Sequence, residues 1–167
     1  IIDPVLAAIN VEAFDIDIAI LNDTGMFVVV WCDNSGNNPL KYRVLYTNGS
    51  LYKEVIVNDN VGADCRVAVS ALNETAFVIA YADTSGTTGW NIIGYDINGN
   101  QIINLPSVKA NIGSAVDVGI CALDSTRYAS VFINNLDKKA SYVVYDLNTQ
   151  IKSESSLDGS AGAPNAK

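Results

Sequence analysis

The sequence repeats itself at intervals of about fifty residues. Leu21, Leu72 and Leu123 are separated by 51 residues each, and each is followed by a short polar stretch that ends in threonine. Self-similarity at such a period is the signature of a repeat architecture, in which one small unit buries its apolar faces against the next. We therefore predict that the chain folds as three consecutive copies of one unit.

Each unit contains four short segments with the alternation or the apolar run typical of β-strands. An alternating strand precedes each leucine, and a nearly continuous apolar strand follows it: Phe27–Trp31, Phe77–Tyr81 and Tyr128–Phe132. A third strand ends at Asn48-Gly49 in the first copy and at Asn98-Gly99 in the second. Asn-Gly indicates a two-residue hairpin turn whose central residues both have positive φ. The first two strands are apolar on both faces, whereas the third and fourth are expected to alternate.

Four antiparallel strands in about fifty residues describe one blade of a β-propeller. We predict an all-β chain of three such blades in a single domain, 1–167, with flanking strands of adjacent repeats. The predicted segments are 1–9 for a preceding repeat, 10–58, 59–109 and 110–158 for the three repeats, and 159–167 for a further one. A β-sandwich and a β-solenoid are the alternatives, although a sandwich needs no four-strand self-similarity and a solenoid needs shorter coils.

The repeats resemble the tandem repeats of large secreted prokaryotic surface proteins. The resemblance rests on "AILNDTGMFVVVWCDNSG", "SALNETAFVIAYADTSG" and the Tyr95–Asn100 segment, and it covers nearly the whole chain. These match a pattern of Leu-x-x-x-x-Phe-Val-Val-x-Trp followed by Tyr-Asp-x-Asn-Gly-Asn. The third copy departs from the pattern at Asn134–Asp137 and at Thr149. The resemblance implies propeller-like arrays on cell surfaces that serve adhesion or display, usually without assigned chemistry.

Charge and hydropathy exclude several partners. The chain carries 18 acidic and 10 basic residues, a net charge of −8, which opposes binding to nucleic acid or to anionic membranes. No apolar run approaches the roughly 20 residues of a membrane span, so no membrane insertion is expected. The chain begins without Met and without the basic region of a signal peptide, which indicates a mature form or an excised fragment. The resemblance to secreted surface proteins implies an extracellular or cell-surface location.

The cysteine and histidine content bears on redox state and catalysis. Cys32, Cys65 and Cys121 fall at different points of the repeat, so they form no repeated disulfide framework. We expect three buried thiols; one disulfide with one free thiol is the alternative. The chain contains no His, which excludes Ser-His-Asp and Cys-His pairs within it. We predict a protein that is not an enzyme.

Two loops carry candidate metal ligands. The loops that begin at Asp33 and Asp83 offer carboxylate, hydroxyl and amide oxygens, the ligands that Ca²⁺ prefers. Each loop supplies one carboxylate for a cation that takes six to eight oxygens, and turn chemistry alone explains the Asp-x-Ser-Gly sequence. We therefore predict no cofactor, with calcium as the one candidate.

Three glycosylation sequons begin at Asn22, Asn48 and Asn73. In a propeller blade the first and third turns lie on one side of the disc, and all three sequons fall on such turns. If the protein is secreted and glycosylated, the opposite side is the one left open to ligands. Protein or glycan on a cell surface is the expected partner.

On that opposite side we expect Asp15, Arg66 and Asp117, which occupy equivalent positions where each innermost strand begins. Such residues would line the central channel, although a solvated strand end explains them equally. Trp90 has no aromatic counterpart in the other copies and is a candidate for stacking on a sugar or a peptide, with core packing as its alternative. The function predicted is adhesion, display or protein binding; a lectin and the accessory part of a larger secreted enzyme are the alternatives. Because three blades do not close a ring, further blades in cis or copies of the chain in trans are also expected as partners.

Overall fold

A computed structural model describes residues 12–85, 89–110, 117–134, 139–147 and 152–156. Twelve strands lie in these residues and form three antiparallel sheets of four. The first sheet contains β1 (Ala13–Leu21), β2 (Met26–Asp33), β3 (Leu40–Tyr46) and β4 (Leu51–Asn58). The second contains β5 (Arg66–Asn73), β6 (Ala76–Asp83), β7 (Gly89–Asp96) and β8 (Gln101–Ala110). The third contains β9 (Val118–Ala122), β10 (Arg127–Asn134), β11 (Lys139–Asp146) and β12 (Lys152–Ser156).

Each sheet is a meander in which consecutive strands are neighbours. The all-β class and the four-stranded antiparallel sheets predicted from the repeat are therefore confirmed. The predicted flanking pieces, residues 1–9 and 159–167, lie outside the described residues, as do residues 135–137 of the diverged loop and Thr149.

The Asn-Gly turns differ from the two-residue hairpin that the sequence indicates. Gly49 and Gly99 have φ of +82° and +92°, whereas Asn48 and Asn98 keep negative φ. In the first sheet, the N–H of Gly49 donates to the carbonyl of Tyr46 (2.8 Å), and the N–H of Tyr46 donates to the carbonyl of Ser50 (3.0 Å). The expectation of a two-residue turn with two positive φ angles is thus wrong, because the loop has three residues and only its glycine has positive φ.

The three sheets pack face to face, with β1 beside β5 and β5 beside β9. We call the face of a sheet that points towards the preceding sheet its front, and the opposite face its back. The back of the first sheet and the front of the second share one apolar core, which includes Val28, Val30, Tyr42, Phe77 and Ile79. Within it the rings of Tyr42 and Phe77 meet edge to face, with 5.0 Å between centroids.

A second core joins the back of the second sheet to the front of the third. It contains Val78, Ala80 and Trp90 from one side and Tyr128 and Phe132 from the other. Because β6 alternates its side chains between the two cores, it is buried on both faces. β7 is buried along almost its whole length as well, which differs from the polar alternation expected for a third strand.

A disulfide crosses the first core. Cys32, in β2, is bonded to Cys65, which directly precedes β5, with Cα atoms 6.0 Å apart. Both residues are fully buried, whereas Cys121 is free and exposed. The expectation of three buried thiols is therefore wrong, and the alternative of one disulfide with one free thiol holds. Sheet packing brings the two cysteines together, although they occupy different positions in the repeat.

The described part of the chain holds no helix with the length and apolar character needed to cross a membrane.

Candidate functional site

Backbone hydrogen bonds define the two ends of the sheets. In each sheet, the turn after the third strand donates an N–H to a carbonyl of the turn after the first strand. The three bonds are Thr47 to Gly25 (2.8 Å), Ile97 to Thr75 (2.9 Å) and Leu147 to Thr126 (2.9 Å). We call this the turn end. The opposite end, where loops between second and third strands meet the links between sheets, is the connection end.

The sequon asparagines lie at the turn end and are exposed. The side-chain oxygen of Asn73 accepts hydrogen bonds from the N–H (2.8 Å) and hydroxyl (3.1 Å) of Thr75, and Asn48 makes equivalent bonds with Ser50. In the third sheet Asp124 takes this role and accepts from the N–H of Thr126 at 2.9 Å. These bonds, with those from Arg127, hold the pKa of the Asp124 carboxyl well below its usual range. Asn48 and Asn73 thus have a structural role in their turns besides any modification.

At the connection end, the link between the first two sheets is held between two loops. The N–H of Val61 donates to the carbonyl of Asn38 (3.0 Å), and the N–H of Thr84 donates to the carbonyl of Val61 (2.8 Å). The link is therefore anchored to the loop that follows β2 and to the loop that follows β6. Val61 makes both of these backbone bonds and is itself fully buried.

Asp15 connects two sheets. Its carboxylate accepts hydrogen bonds from the N–H of Ile16 (3.0 Å) and from the N–H of Val67 in β5 (2.9 Å). Asp17 repeats the arrangement one pleat further along, with Ile18 (2.8 Å) and Val69 (2.8 Å). A carboxylate engaged in this way is part of the sheet packing. Both oxygens of the Asp15 carboxylate therefore already accept hydrogen bonds within the protein, which leaves this residue less able to bind a ligand in the central channel.

Arg66 begins β5 and Asp117 directly precedes β9, both at the connection end. Arg66 is half-buried, and one of its terminal nitrogens donates to the carbonyl of Cys65 at 3.1 Å. Asp117 is exposed, and its carbonyl accepts from the N–H of Ile133 at 3.0 Å. In the described residues no ion pair joins Arg66 to Asp15 or Asp117. A basic and an acidic residue thus occupy equivalent positions at the start of the neighbouring strands β5 and β9.

Asp33 is buried and paired. Its carboxylate accepts from Nζ of Lys41 at 2.6 Å and from the N–H of Ser35 at 2.9 Å. Burial alone would raise the pKa of this carboxyl, but the bonds from Lys41 and Ser35 outweigh it and lower the pKa. A carboxylate already neutralised by lysine is a poor calcium ligand, so this candidate site is corrected to a structural ion pair.

Asp83, the counterpart of Asp33, closes its own loop. One oxygen accepts from the N–H (2.9 Å) and the hydroxyl (2.7 Å) of Ser85, and the other faces the amide of Asn58 at 3.4 Å. The remainder of the predicted loop, residues 86–88, lies outside the described residues. No group of three or more carboxylate or thiol ligands that could hold a metal ion occurs in the described part of the chain.

Trp90 is fully buried in the second core, where its ring packs against Phe132 with 4.5 Å between centroids. A ring with no exposed surface cannot stack on a sugar or a peptide. The ligand-binding assignment of Trp90 is therefore corrected to core packing, the alternative that its sequence context also allowed.

A pocket that sequence reasoning missed lies beside Asp117. It has a volume of about 230 Å³ and is lined by Gly119, Val131, Phe132, Ile133 and Ala140, among others. Val131 and Ile133 alternate with the buried Phe132, so their side chains point away from the second sheet and the pocket opens on the back of the third. Gly119 takes the repeat position that Asp17 holds in the first sheet, and the absence of a side chain at Gly119 leaves room for the pocket. An alignment of the repeats shows this difference in the sequence alone.

No protein-family model and no curated protein matches this chain. Among solved structures, a prolyl endopeptidase described for the role of inter-domain dynamics in catalysis is similar at a TM-score of 0.52 and 11% identity. The match covers 90% of this chain and 21% of that one. A KlHsv2 variant with loop 6CD replaced by a Gly-Ser linker gives a TM-score of 0.44 and 19% identity over 77% of this chain and 40% of that one. The chain therefore spans a fifth to two fifths of these proteins, and the likeness is to a propeller-like all-β fold.

Proposed function

We propose that this chain is a non-catalytic, extracellular or cell-surface β-propeller module, in which the three sheets are blades and the connection end binds another protein. The observation that carries the proposal is that Arg66 and Asp117, of opposite charge, hold equivalent positions where the neighbouring strands β5 and β9 begin. Their side chains are not consumed by ion pairing to each other or to Asp15. Such a pair of opposite charges suits a polypeptide segment that carries both.

The disulfide supports the extracellular part of the proposal. Cys32–Cys65 joins two sheets covalently. Disulfides of this structural kind persist in oxidising surroundings and are rare in the cytosol. Exposed sequon asparagines at the turn end are compatible with secretion, and they leave the connection end uncovered. The carbohydrate-binding alternative depended on Trp90 as the residue that stacks on a sugar, and Trp90 is buried.

The proposal is tested by selecting a peptide display library on the purified chain and measuring the binding of enriched peptides. We expect enrichment of peptides with acidic residues near basic ones, and a loss of affinity of tenfold or more in Arg66→Gln. Arg127→Gln removes an arginine of the turn end and is the matched control, which should bind normally. Equal binding by both variants, or enrichment on a glycan array in place of peptides, would refute the proposal.

A further inference from the structure

Side chains of one first strand bond to backbone N–H groups of the next first strand. Asp15 in β1 accepts from the N–H of Val67 in β5 at 2.9 Å, and Asp17 makes the same kind of bond one pleat further along. Ser70 in β5 accepts from the N–H of Ala122 in β9 at 2.9 Å. In all three bonds the donor follows the acceptor by 52 residues. Neighbouring first strands therefore run in the same direction with one constant offset.

This offset places the N–H of Val118 beside Arg66. Arg66 precedes Ser70 by four residues in β5. Val118 precedes Ala122 by four residues in β9. Two strands that run in the same direction rise by the same amount per residue, so the bond at Ser70 also determines what lies beside Arg66. The side chain of Arg66 is on the face towards the third sheet, because Arg66 pairs with Ala82, a residue of the second core.

The N–H of Val118 has no acceptor in the part of the chain that the structure describes. The carbonyl of Asp117 accepts from the N–H of Ile133 in β10, which makes these two residues a hydrogen-bonded pair. In an antiparallel ladder such pairs alternate with pairs that exchange no bond. The next residue, Val118, therefore directs its N–H away from β10 and towards β5.

Arg66 supplies a cation where the first sheet supplies a carboxylate. Arg66 takes the repeat position of Asp15, and Val118 takes that of Val67. The Asp15 carboxylate accepts the N–H of Val67, whereas a guanidinium carries only donors. One nitrogen of Arg66 donates to the carbonyl of Cys65, which leaves most N–H groups of the guanidinium without a partner among the described residues. Two donors thus face the same place, and neither can satisfy the other.

We propose that Arg66 and the N–H of Val118 together bind a carboxylate of the protein partner. The first two sheets show this chemistry, because there the equivalent N–H is bonded by the carboxylate of Asp15. Arginine pairs with carboxylates through two parallel bonds, and bonds to an ionised acceptor are stronger than neutral ones. The carboxylate comes either from an acidic side chain or from a C-terminus. This inference rests on the proposed function and adds to it the group of the partner that Arg66 recognises.

The position of the two donors is tested without any ligand. Arg66→Asp puts a carboxylate where the first sheet has Asp15, and we expect the N–H of Val118 to exchange with solvent about tenfold or more slowly than in the wild type. Arg66→Ala removes the cation without adding an acceptor and is the matched control, which should leave this exchange fast. Amide exchange measured by NMR gives both rates, and circular dichroism establishes that each variant is folded. Equal rates in the two variants would overturn the inference.

Small carboxylates test the binding itself. N-acetyl-aspartate amide carries a side-chain carboxylate, N-acetylglycine carries a terminal carboxylate, and N-acetyl-asparagine amide carries neither. At millimolar concentration we expect at least one of the two carboxylates to shift the NMR signal of the Val118 N–H, and the asparagine amide to leave it unchanged. The signal of the Ala122 N–H, which is already bonded to Ser70, should stay in place. Arg66→Gln should weaken the binding by about tenfold or more, whereas Arg127→Gln should not.

The outcomes separate this inference from the proposed function. A Val118 signal that neither carboxylate shifts, or that the asparagine amide shifts equally, would overturn the inference. Selected peptides that bind through Arg66 would then still support the proposed function. Carboxylate binding by a chain that enriches no peptide would support the carboxylate site and refute the proposed function.

Discussion

The carboxylate of Asp17 in the first sheet accepts a 2.8 Å hydrogen bond from the backbone N–H of Val69 in the second. Neighbouring sheets of this chain are therefore joined by polar bonds as well as by apolar packing. Ser70 makes the same kind of bond with the N–H of Ala122 in the third sheet, at 2.9 Å. A side chain of one first strand thus satisfies a backbone donor on the next, at an edge where no strand pairs with it.

Removing this acceptor should weaken the contact between the first two sheets. Asp17→Ala leaves the N–H of the buried Val69 without a partner, and we expect a loss of about 1–3 kcal/mol in the free energy of unfolding. Asp17→Asn keeps an acceptor oxygen at the same place and should lose less. Urea unfolding curves of the two variants give the comparison. Equal stability of Asp17→Ala and wild type would refute the bonding role.

The disulfide should contribute measurably to stability. Cys32 and Cys65 are 33 residues apart in sequence, and closing a loop of that size stabilises a fold by about 3–4 kcal/mol in the chain-entropy treatment. We expect the double variant Cys32→Ala/Cys65→Ala to unfold at lower denaturant, and Cys121→Ser to behave as wild type. Thiol titration of the unreduced, denatured chain should find one thiol; three would contradict the cross-link.

The Asp33–Lys41 pair predicts a pH dependence. Because the pKa of Asp33 is lower in the folded protein than its ordinary 3.8, its carboxylate stabilises the fold fully above that value. The contribution disappears as the pH falls through the lower folded-state pKa. We expect Asp33→Asn to cost about 1.5–3 kcal/mol at pH 7 and progressively less as the pH falls below 3.8. Asp83→Asn is the control, since its carboxylate bonds Ser85 and Asn58. A difference independent of pH would exclude the ionic contribution.

The sequon asparagines should be accessible to modification. Secreted from a glycosylating eukaryotic cell, the chain is expected to gain glycan at Asn22, Asn48 and Asn73, because all three are exposed in turns. Mass spectrometry before and after enzymatic deglycosylation measures occupancy, and Asn→Gln at each position assigns it. An unmodified secreted chain would show that the local hydrogen bonds of these turns prevent recognition.

Local pattern predicted the elements of this fold well. The spacing of Leu21, Leu72 and Leu123 marks turns that the structure places at equivalent points of three sheets. The predicted fourth strand Gln101–Val108 corresponds to β8, Gln101–Ala110. Strand alternation and turn preferences depend on residues that are close together in the chain. A single sequence is therefore enough to predict them.

Contacts between sheets could not be predicted in this way. Cys32 and Cys65 meet because the end of β2 lies against the chain entering β5, a relation set by how two sheets pack. The repeat position of Asp15 predicts a residue at the mouth of the channel, but its bond to the N–H of Val67 depends on the constant offset between neighbouring first strands, which the sequence does not contain. The Asp33–Lys41 pair likewise depends on the β2–β3 register.

The most direct test of this packing is amide hydrogen exchange, measured by NMR at single residues. The N–H groups of Val67, Val69 and Ala122 lie on first strands and donate to side chains of the preceding sheet. We predict protection on the order of 10³ or more for them, an opening free energy of about 4 kcal/mol. Asp17→Ala should abolish the protection at Val69 and leave that at Ala122 intact. Exchange of these amides in the wild type as fast as in an unstructured peptide would contradict the arrangement of the three sheets.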